Sequence, residues 1–384
     1  MKQTVTILTT AIITVILTLV IIAIILLGVN HAVKSKLFQN QNKKFLFLHK
    51  ASSVQAPRKV VNVLVVSGGG VMGILPLGIL EYVEQRSGIK IADSFDLFAG
   101  TSTGALIASA YANNLEIDGK MQPPTTADIM AGYFQLSHKI FSQSFSHQLK
   151  TGFGLFGALY DHAALKQGLE NKYHQIILGD ARKPLIFPSF DLKTGDIVEF
   201  SSWKRNAPYA KTPTYQLLLG ATSAPVAFPP YKLTFVGQNE SNVLVDGGLV
   251  ANTPSMMAYF AARKLYPNSN IRIISIGDGS YKDILMPEES ALGSMGFLAW
   301  GHILINVFVH SHTLLSQDYL EDLINEPGSH LVDYYRINMN IPVKNHGVFD
   351  GSKQHLIYLK NMAEEYTRVK KNELDELAAK LKTS

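Results

Sequence analysis

An α/β fold, with helices laid over a mainly parallel sheet, is what this sequence predicts, on three observations. Val60–Val66 (VVNVLVV) is an unbroken run rich in β-branched residues. It leads through Ser67-Gly68-Gly69-Gly70-Val71-Met72-Gly73 into apolar residues at helical spacing, Leu75, Ile79, Leu80 and Val83. Ser94–Ala99 repeats the pattern, a second strand that runs into the turn Gly100-Thr101-Ser102-Thr103-Gly104 and on into the helix ALIASAYANN. Ile271–Ile276 is a third buried strand. Strands alternating with helices argue a parallel sheet with helices on its faces, and strands buried on both faces read as continuous apolar runs.

Ahead of this body lies Val5–Val29, an apolar run with no charge and no proline. As a helix it spans about 37 Å at about 1.5 Å per residue, enough to cross a hydrocarbon core of about 30 Å with some tilt. A cleaved signal peptide is the rival reading, but its apolar region is normally only about 7–15 residues long. Residues 1–33 are therefore expected to form a retained transmembrane anchor. Eight of the 35 basic residues precede the first acidic residue, Glu81, which leaves 27 basic against 30 acidic in the rest. The overall +5 is thus misleading: the body is mildly acidic and the basic charge is a collar beside the anchor. That excludes a nucleic-acid groove and suits a bilayer surface. With one lysine before the run and seven basic residues soon after it, the positive-inside rule places the body on the cytoplasmic side, a secreted or periplasmic body being the alternative. Residues 34–59 read as a basic juxtamembrane linker. The body is expected over 60–384, with a core at 62–280 and a helical C-terminal part at 281–384. Cysteine is absent, which rules out disulfides, thiolate metal sites and a cysteine nucleophile.

Along the body, 125–175 reads as helix and loop, with aromatics and glycine mixed over 141–160. Lys183–Phe190 and Ile197–Phe200 read as strands about the turn Lys193-Thr194-Gly195-Asp196. Tyr215–Thr222 reads as a helix and Val243–Val245 as a short strand before Asp246-Gly247-Gly248. Asn252-Thr253-Pro254 opens a helix, 288–325 is helical, Tyr335–Asn338 is a late strand, and 352–383 is one amphipathic, charged helix.

Two glycine-rich segments carry the chemistry. Gly100-Thr101-Ser102-Thr103-Gly104 fits G-x-S-x-G between a strand and a helix, the setting of a nucleophilic serine held on a tight turn. The glycine loop 68–73 can aim successive backbone N–H groups at one anion and so serve as an oxyanion hole. Alone it also satisfies the dinucleotide pattern G-x-G-x-x-G, which wants an acid at the end of the next strand; Asp93 and Asp96 are the nearest. The base is open at this level. His310, His346 or His355 could complete a Ser–Asp–His order, while His302, His310 and His312 look like helix residues, and no acidic partner stands at metal-ligand spacing.

Taken together, SGGGVMG, GTSTG and DGG resemble the ordered motifs of the patatin-like phospholipases. LLLGATSAPVAFPPY and VDGGLVANTPSMMA are similar to the family's text around its aspartate. The resemblance covers roughly 62–280, and more weakly Tyr334–Asn338 (YYRIN) and the terminal helix. It implies a three-layer α/β/α sandwich and a carboxylic ester hydrolase of phospholipase A or lysophospholipase type. Membrane lipid is the implied substrate, with no metal or other cofactor in the chemistry. It further implies Ser102 as nucleophile and Asp246 as base, 144 positions apart. The oxyanion hole falls on Gly68, Gly69, Gly70, Val71 and Gly73. Gly100, Thr101, Thr103 and Gly104 form the elbow, and Gly247 and Gly248 follow the aspartate. One position departs from the family: Met72 stands where Arg or Lys is usual. A cation there would raise activity if the side chain faced the oxyanion, and would destabilise the fold if it faced the apolar layer beneath.

Overall fold

The computed structural model describes residues 46–49, 59–141, 157–279, 297–341 and 347–382. The expected anchor at 1–33 lies outside them, as do most of the expected linker and most of 141–160. Among the described residues no helix is long and apolar enough to cross a membrane.

The strands are β1 (Leu46–His49), β2 (Val60–Val66), β3 (Leu97–Gly100), β4 (Leu115–Ile117), β5 (Lys120–Gln122), β6 (Leu185–Asp191), β7 (Asp196–Ser201), β8 (Tyr231–Thr234), β9 (Ser241–Asp246), β10 (Asn270–Ile276) and β11 (Leu331–Ile337). The principal helices are α1 (Ile74–Ser87), α2 (Thr103–Ala112), α3 (Thr126–Phe141), α4 (Ala163–Tyr173), α5 (Thr214–Ala221), α6 (Ser255–Leu265), α7 (Phe297–Leu323), α8 (Lys353–Val369) and α9 (Lys371–Lys382). The main sheet runs β1-β11-β10-β2-β3-β6-β9-β8, with β7 on β6, while β4 and β5 form a separate hairpin.

The sheet is mixed rather than mainly parallel. Pairings from β11 through β10, β2 and β3 to β6 are parallel. Those of β1 with β11, of β6 with β7 and β9, and of β8 with β9 are antiparallel. Two apolar cores lie on its opposite faces. Leu64, Val66, Phe98, Ile274 and Ile276 point into one, with α1, α2 and α8. Val61, Val63, Val65, Leu97, Ala99 and Ile273 point into the other, with α6 and the end of α7. Every second residue of a strand faces the same side, so β2 is apolar on both faces, apart from the buried Asn62, whose side chain donates to Ser94 O at 3.1 Å.

Other differences have local causes. Ile91–Ser94 closes one helical turn, so β3 starts three residues later than expected. The expected linker contributes β1, which covers the free edge of β11. The terminal helix is two helices, α8 and α9, interrupted at Lys370, both packed on α1.

Candidate active site

Ser102 sits between the end of β3 and the start of α2 with φ 52° and ψ −125°. For a residue with a Cβ this backbone costs on the order of 1–3 kcal/mol and persists only when the surroundings enforce it. The flanking glycines do so by close approach. A Cβ on Gly100 would lie 2.0 Å from the Gly104 carbonyl oxygen, and one on Gly104 would lie 2.1 Å from that of Val66. Thr101 donates its hydroxyl to Ala251 O at 2.6 Å. Thr103 donates to Gly70 O at 2.8 Å, which ties the elbow to the glycine loop.

Asp246 reaches the same place from the opposite direction. β7 occupies one flank of β6, while β3 and β9 share the other, β3 parallel to it and β9 antiparallel. Ala99 is level with Ile186, and Asp246 with Ser189, so the two strands meet tip to tip and bring Ser102 towards Asp246. The carboxylate is 4% exposed. Its Oδ1 accepts the Gly248 N–H at 2.7 Å and its Oδ2 has no hydrogen-bond partner. Burial pushes its pKa up to about 6, against the opposing pull of the Ser102 hydroxyl and the Gly248 amide beside it. Gly247 has no room for a side chain, since a Cβ would lie 2.3 Å from Pro188 O.

The glycine loop turns two amides towards this point. Asn252 Nδ2 donates to Gly68 O at 3.1 Å, and the Met72 N–H donates to Gly69 O at 3.1 Å. In a trans peptide the N–H points opposite to its carbonyl. Anchoring those two carbonyls therefore aims the Gly69 and Gly70 N–H groups, neither of which has a partner among the described residues, away from the anchors. The expected set of donors narrows accordingly. The Gly68 N–H is spent on Asn252 O at 3.0 Å and the Val71 N–H on Val348 O at 2.9 Å. The Gly73 amide faces the Tyr133 phenol, whose hydroxyl is donated to Gly70 O. Gly70 takes φ +54°, and a Cβ there would strike Val348 O at 2.2 Å. Met72 is fully buried among the apolar side chains of α1 and its neighbours, so it fills the core and does not face the oxyanion position.

Three residues beneath the loop were given no role by the motifs. Asn252 holds Gly68 through both its backbone and its side chain. Arg336, at the end of β11, is 7% exposed and donates Nη1 to Ser67 Oγ at 3.2 Å and to Ser275 Oγ at 3.1 Å. Burial lowers its pKa, while Tyr334, Asp278 and Tyr366 raise it. Asp278 lies under Gly69, where a Cβ would be 1.7 Å from its Oδ2. Arginine in YYRIN, a late buried strand, was the available clue to the first cation under the loop.

The acids of the dinucleotide reading are spent elsewhere. Asp96 Oδ2 accepts the Asn62 N–H at 3.0 Å, at the opposite end of the parallel strands, and Asp93 pairs with Arg182 at 2.8 Å. His346 and the side chain of His302 lie outside the described residues, and among the described residues no histidine lines the cavity at Ser102. Nor does any group of His, Cys, Asp or Glu among them stand at metal-holding geometry.

Ser102, Asp246 and Gly68–Gly70 line one cavity of about 380 Å³. The rest of its wall is largely apolar, including Leu106, Leu136, Ile140, Phe141, Val226 and Phe228. Phe141, Phe228 and Phe349 of its wall form an aromatic cluster with Tyr160 behind them.

The family description "Patatin-like phospholipase" matches residues 64–259, half of the chain. Patatin-T5 of Solanum tuberosum is 31% identical over 259 residues, which cover 63% of this chain and 63% of that protein. Probable inactive patatin-3-Kuras 1 of the same plant is 32% identical over 247 residues, 59% of this chain and 61% of that one. The solved structure of human GIVD cytosolic phospholipase A2 aligns with 84% of this chain and 60% of its own, at 10% identity and a TM-score of 0.43. The chain thus spans a little over three fifths of the length of these two curated relatives.

Proposed function

Because the chain belongs to the patatin-like phospholipase family, we propose that it hydrolyses acyl esters of membrane lipids through a dyad of Ser102 and Asp246. One observation carries this reading. A buried aspartate with a raised pKa and an unpartnered Oδ2 shares a cavity with a serine on a strained turn and with two unengaged amides. A base near neutrality beside a hydroxyl is what nucleophilic catalysis needs, and hydrogen bonds of this kind often close only when substrate is bound.

In this reading Asp246 takes the Ser102 proton as Oγ bonds to the ester carbonyl carbon. The charge that develops on the carbonyl oxygen is held by the Gly69 and Gly70 N–H groups. Collapse breaks the ester bond, and the departing alcohol takes the proton from Asp246. Water then attacks the acyl-enzyme, giving its proton to Asp246, and the second collapse releases the fatty acid and returns the proton to Ser102. The apolar wall suits the acyl chain. No step uses a metal or other cofactor.

Attachment to the bilayer belongs to the same proposal. The uncharged run Val5–Val29 would hold the enzyme at its insoluble substrate, and its basic flank supports a cytoplasmic body. The experiment is mass spectrometry of lipid extracts incubated with the unsubstituted enzyme and with Ser102→Ala. Release of free fatty acid by the first only, with labelling of Ser102 by a serine-directed phosphonate, is the expected outcome. Equal release by both removes the dyad.

A further inference from the structure

Helix α7 carries a face that the hydrolase reading does not use. Trp300, Leu304, Phe308, Leu315 and Tyr319 are 43%, 40%, 46%, 49% and 51% exposed. With the exposed Ser311 they fall at i, i+4, i+8, i+11, i+15 and i+19, one stripe along the helix. From Phe297 to Gln317 the sequence has no Asp, Glu, Lys or Arg, and Asp318 ends the uncharged run. A solvent-facing helix surface normally carries charge, and a contiguous exposed apolar surface marks a binding face.

The position of the stripe selects its occupant. Ile305, next to the stripe on the same turns, lines the cavity that holds Ser102, as do Asn306 and Val309 on the face of α7 turned to the body. Ile305 is itself 38% exposed, and Val226, also in the cavity wall, is 52% exposed, so the cavity opens beside the stripe between two apolar side chains. The opposite side of α7 is held to the body, by Leu320 in the core and by Thr313 Oγ1 against Thr253 Oγ1 at 3.1 Å. Thr253 Oγ1 in turn meets Ser67 Oγ at 2.8 Å, at the root of the glycine loop.

We infer that the outer face of α7 rests on a lipid bilayer and sets the cavity mouth at the membrane surface, so that a lipid passes from the membrane to Ser102 without crossing water. This rests on the lipid-hydrolase reading for its purpose, though not for its test. An uncharged face of aromatic and aliphatic side chains fits the boundary between headgroups and acyl chains, where Trp and Tyr keep one polar end in water. A protein partner on the same face would cover the mouth, whereas a bilayer supplies the substrate there.

The test uses the full chain carrying Ser102→Ala and Trp203→Phe, which leaves Trp300 as its single tryptophan. It is reconstituted with phosphatidylcholine–phosphatidylglycerol vesicles whose acyl chains are brominated or plain. Quenching of Trp300 by the brominated lipid, with a blue shift in both, is expected whether or not the protein is an active hydrolase. An unquenched Trp300 on vesicle-bound protein overturns the inference, because attachment by residues 5–29 alone does not bring α7 to the lipid. In the active enzyme, Leu304→Glu and Phe308→Glu should lower hydrolysis of vesicle lipid by about tenfold or more. Hydrolysis of a soluble short-chain nitrophenyl ester should be unchanged. Equal loss on both substrates, or a dimer that these substitutions split into monomers without altering Trp300 quenching, overturns it. Phe308→Ser is the milder substitution, with melting temperature measured alongside, should a glutamate variant fail to fold. A parent enzyme inactive on both esters, with Trp300 quenched, would sink the dyad and leave the docking face standing.

Discussion

The two halves of the sheet bring different chemistry to one point by different means. In the parallel half, β2, β3, β10 and β11 lie between two cores, and their loops emerge together at one edge. That half carries Ser102 and the Gly69 and Gly70 amides, the proposed nucleophile and oxyanion donors, groups whose value lies in fixed direction. In the antiparallel part, β9 pairs with β8 and with the overhanging end of β6, and is partly exposed over its first three residues. It supplies Asp246, whose value lies in its environment, since burial without a full set of partners raises its pKa. Rigid geometry and a tuned proton affinity are separate requirements of the proposed acyl transfer, and here they would come from separate parts of the sheet.

Removing the nucleophile gives the largest expected effect. Ser102→Ala should lower kcat by about 10⁶-fold, to the level left by binding and the oxyanion donors. Because alanine relieves none of the positive φ, the melting temperature should barely move. A retained rate would mean that the parallel half does not hold the nucleophile.

Asp246→Asn tests the other half and has two signatures. Loss of the base should lower kcat by about 10⁴-fold. The folded pKa of about 6 lies above the ordinary value of 3.8, so the folded protein binds more protons between them. The aspartate therefore lowers stability as pH rises through that window, by on the order of 3 kcal/mol above it. Asparagine keeps an oxygen for the Gly248 amide and carries no charge. The variant should melt higher than its parent at pH 7–8, and the gain should fade below about pH 4. In the parent, kcat/KM for a soluble ester should fall as pH drops through about 6, where Asp246 takes up its proton. A flat profile down to pH 4.5 would assign the proton to another group.

Met72→Arg separates the loop's direction from its charge. The side chain is fully buried in apolar surroundings. An unpaired cation there should cost at least about 3 kcal/mol of stability, seen as a lower melting temperature or insoluble protein. A faster and equally stable variant would show that position 72 turns towards the oxyanion after all. The smallest effect is expected away from both halves, in the β4–β5 hairpin. Gly119 has φ +73° and no neighbour within 4 Å of a built Cβ, so Gly119→Ala should cost about 1–2 kcal/mol in stability, with kcat unchanged.

Legibility divides along the same line. β2 carries the bounds its sequence suggests and β10 differs by one residue, because strands buried on both faces read as largely apolar, β-branched runs. β8 and β9 are short and partly exposed, so their periodicity is weak, and only the end of β9 was read in advance. The β4–β5 hairpin was missed although Asp118-Gly119 is a recognised turn pair, both residues taking positive φ. Amphipathic spacing continues across Lys370, so the break between α8 and α9 carries no mark in the hydrophobic pattern.

By itself the sequence determined the strand–turn–helix units that carry Ser102 and the glycine loop, since the apolar strand, the glycines and the helical spacing that mark each unit are consecutive in the chain. It determined through its ordered motifs which family the chain resembles. Only the tertiary structure decided which amides remain free, where Met72 points, and that Arg336 and Asn252 brace the loop from 269 and 184 positions away. It also decided how Asp246 approaches Ser102, because that depends on β6 outrunning β3 and on β9 pairing antiparallel with the overhang. Strand direction and register are set by which faces get buried together, and that is a property of the packed sheet rather than of any one strand.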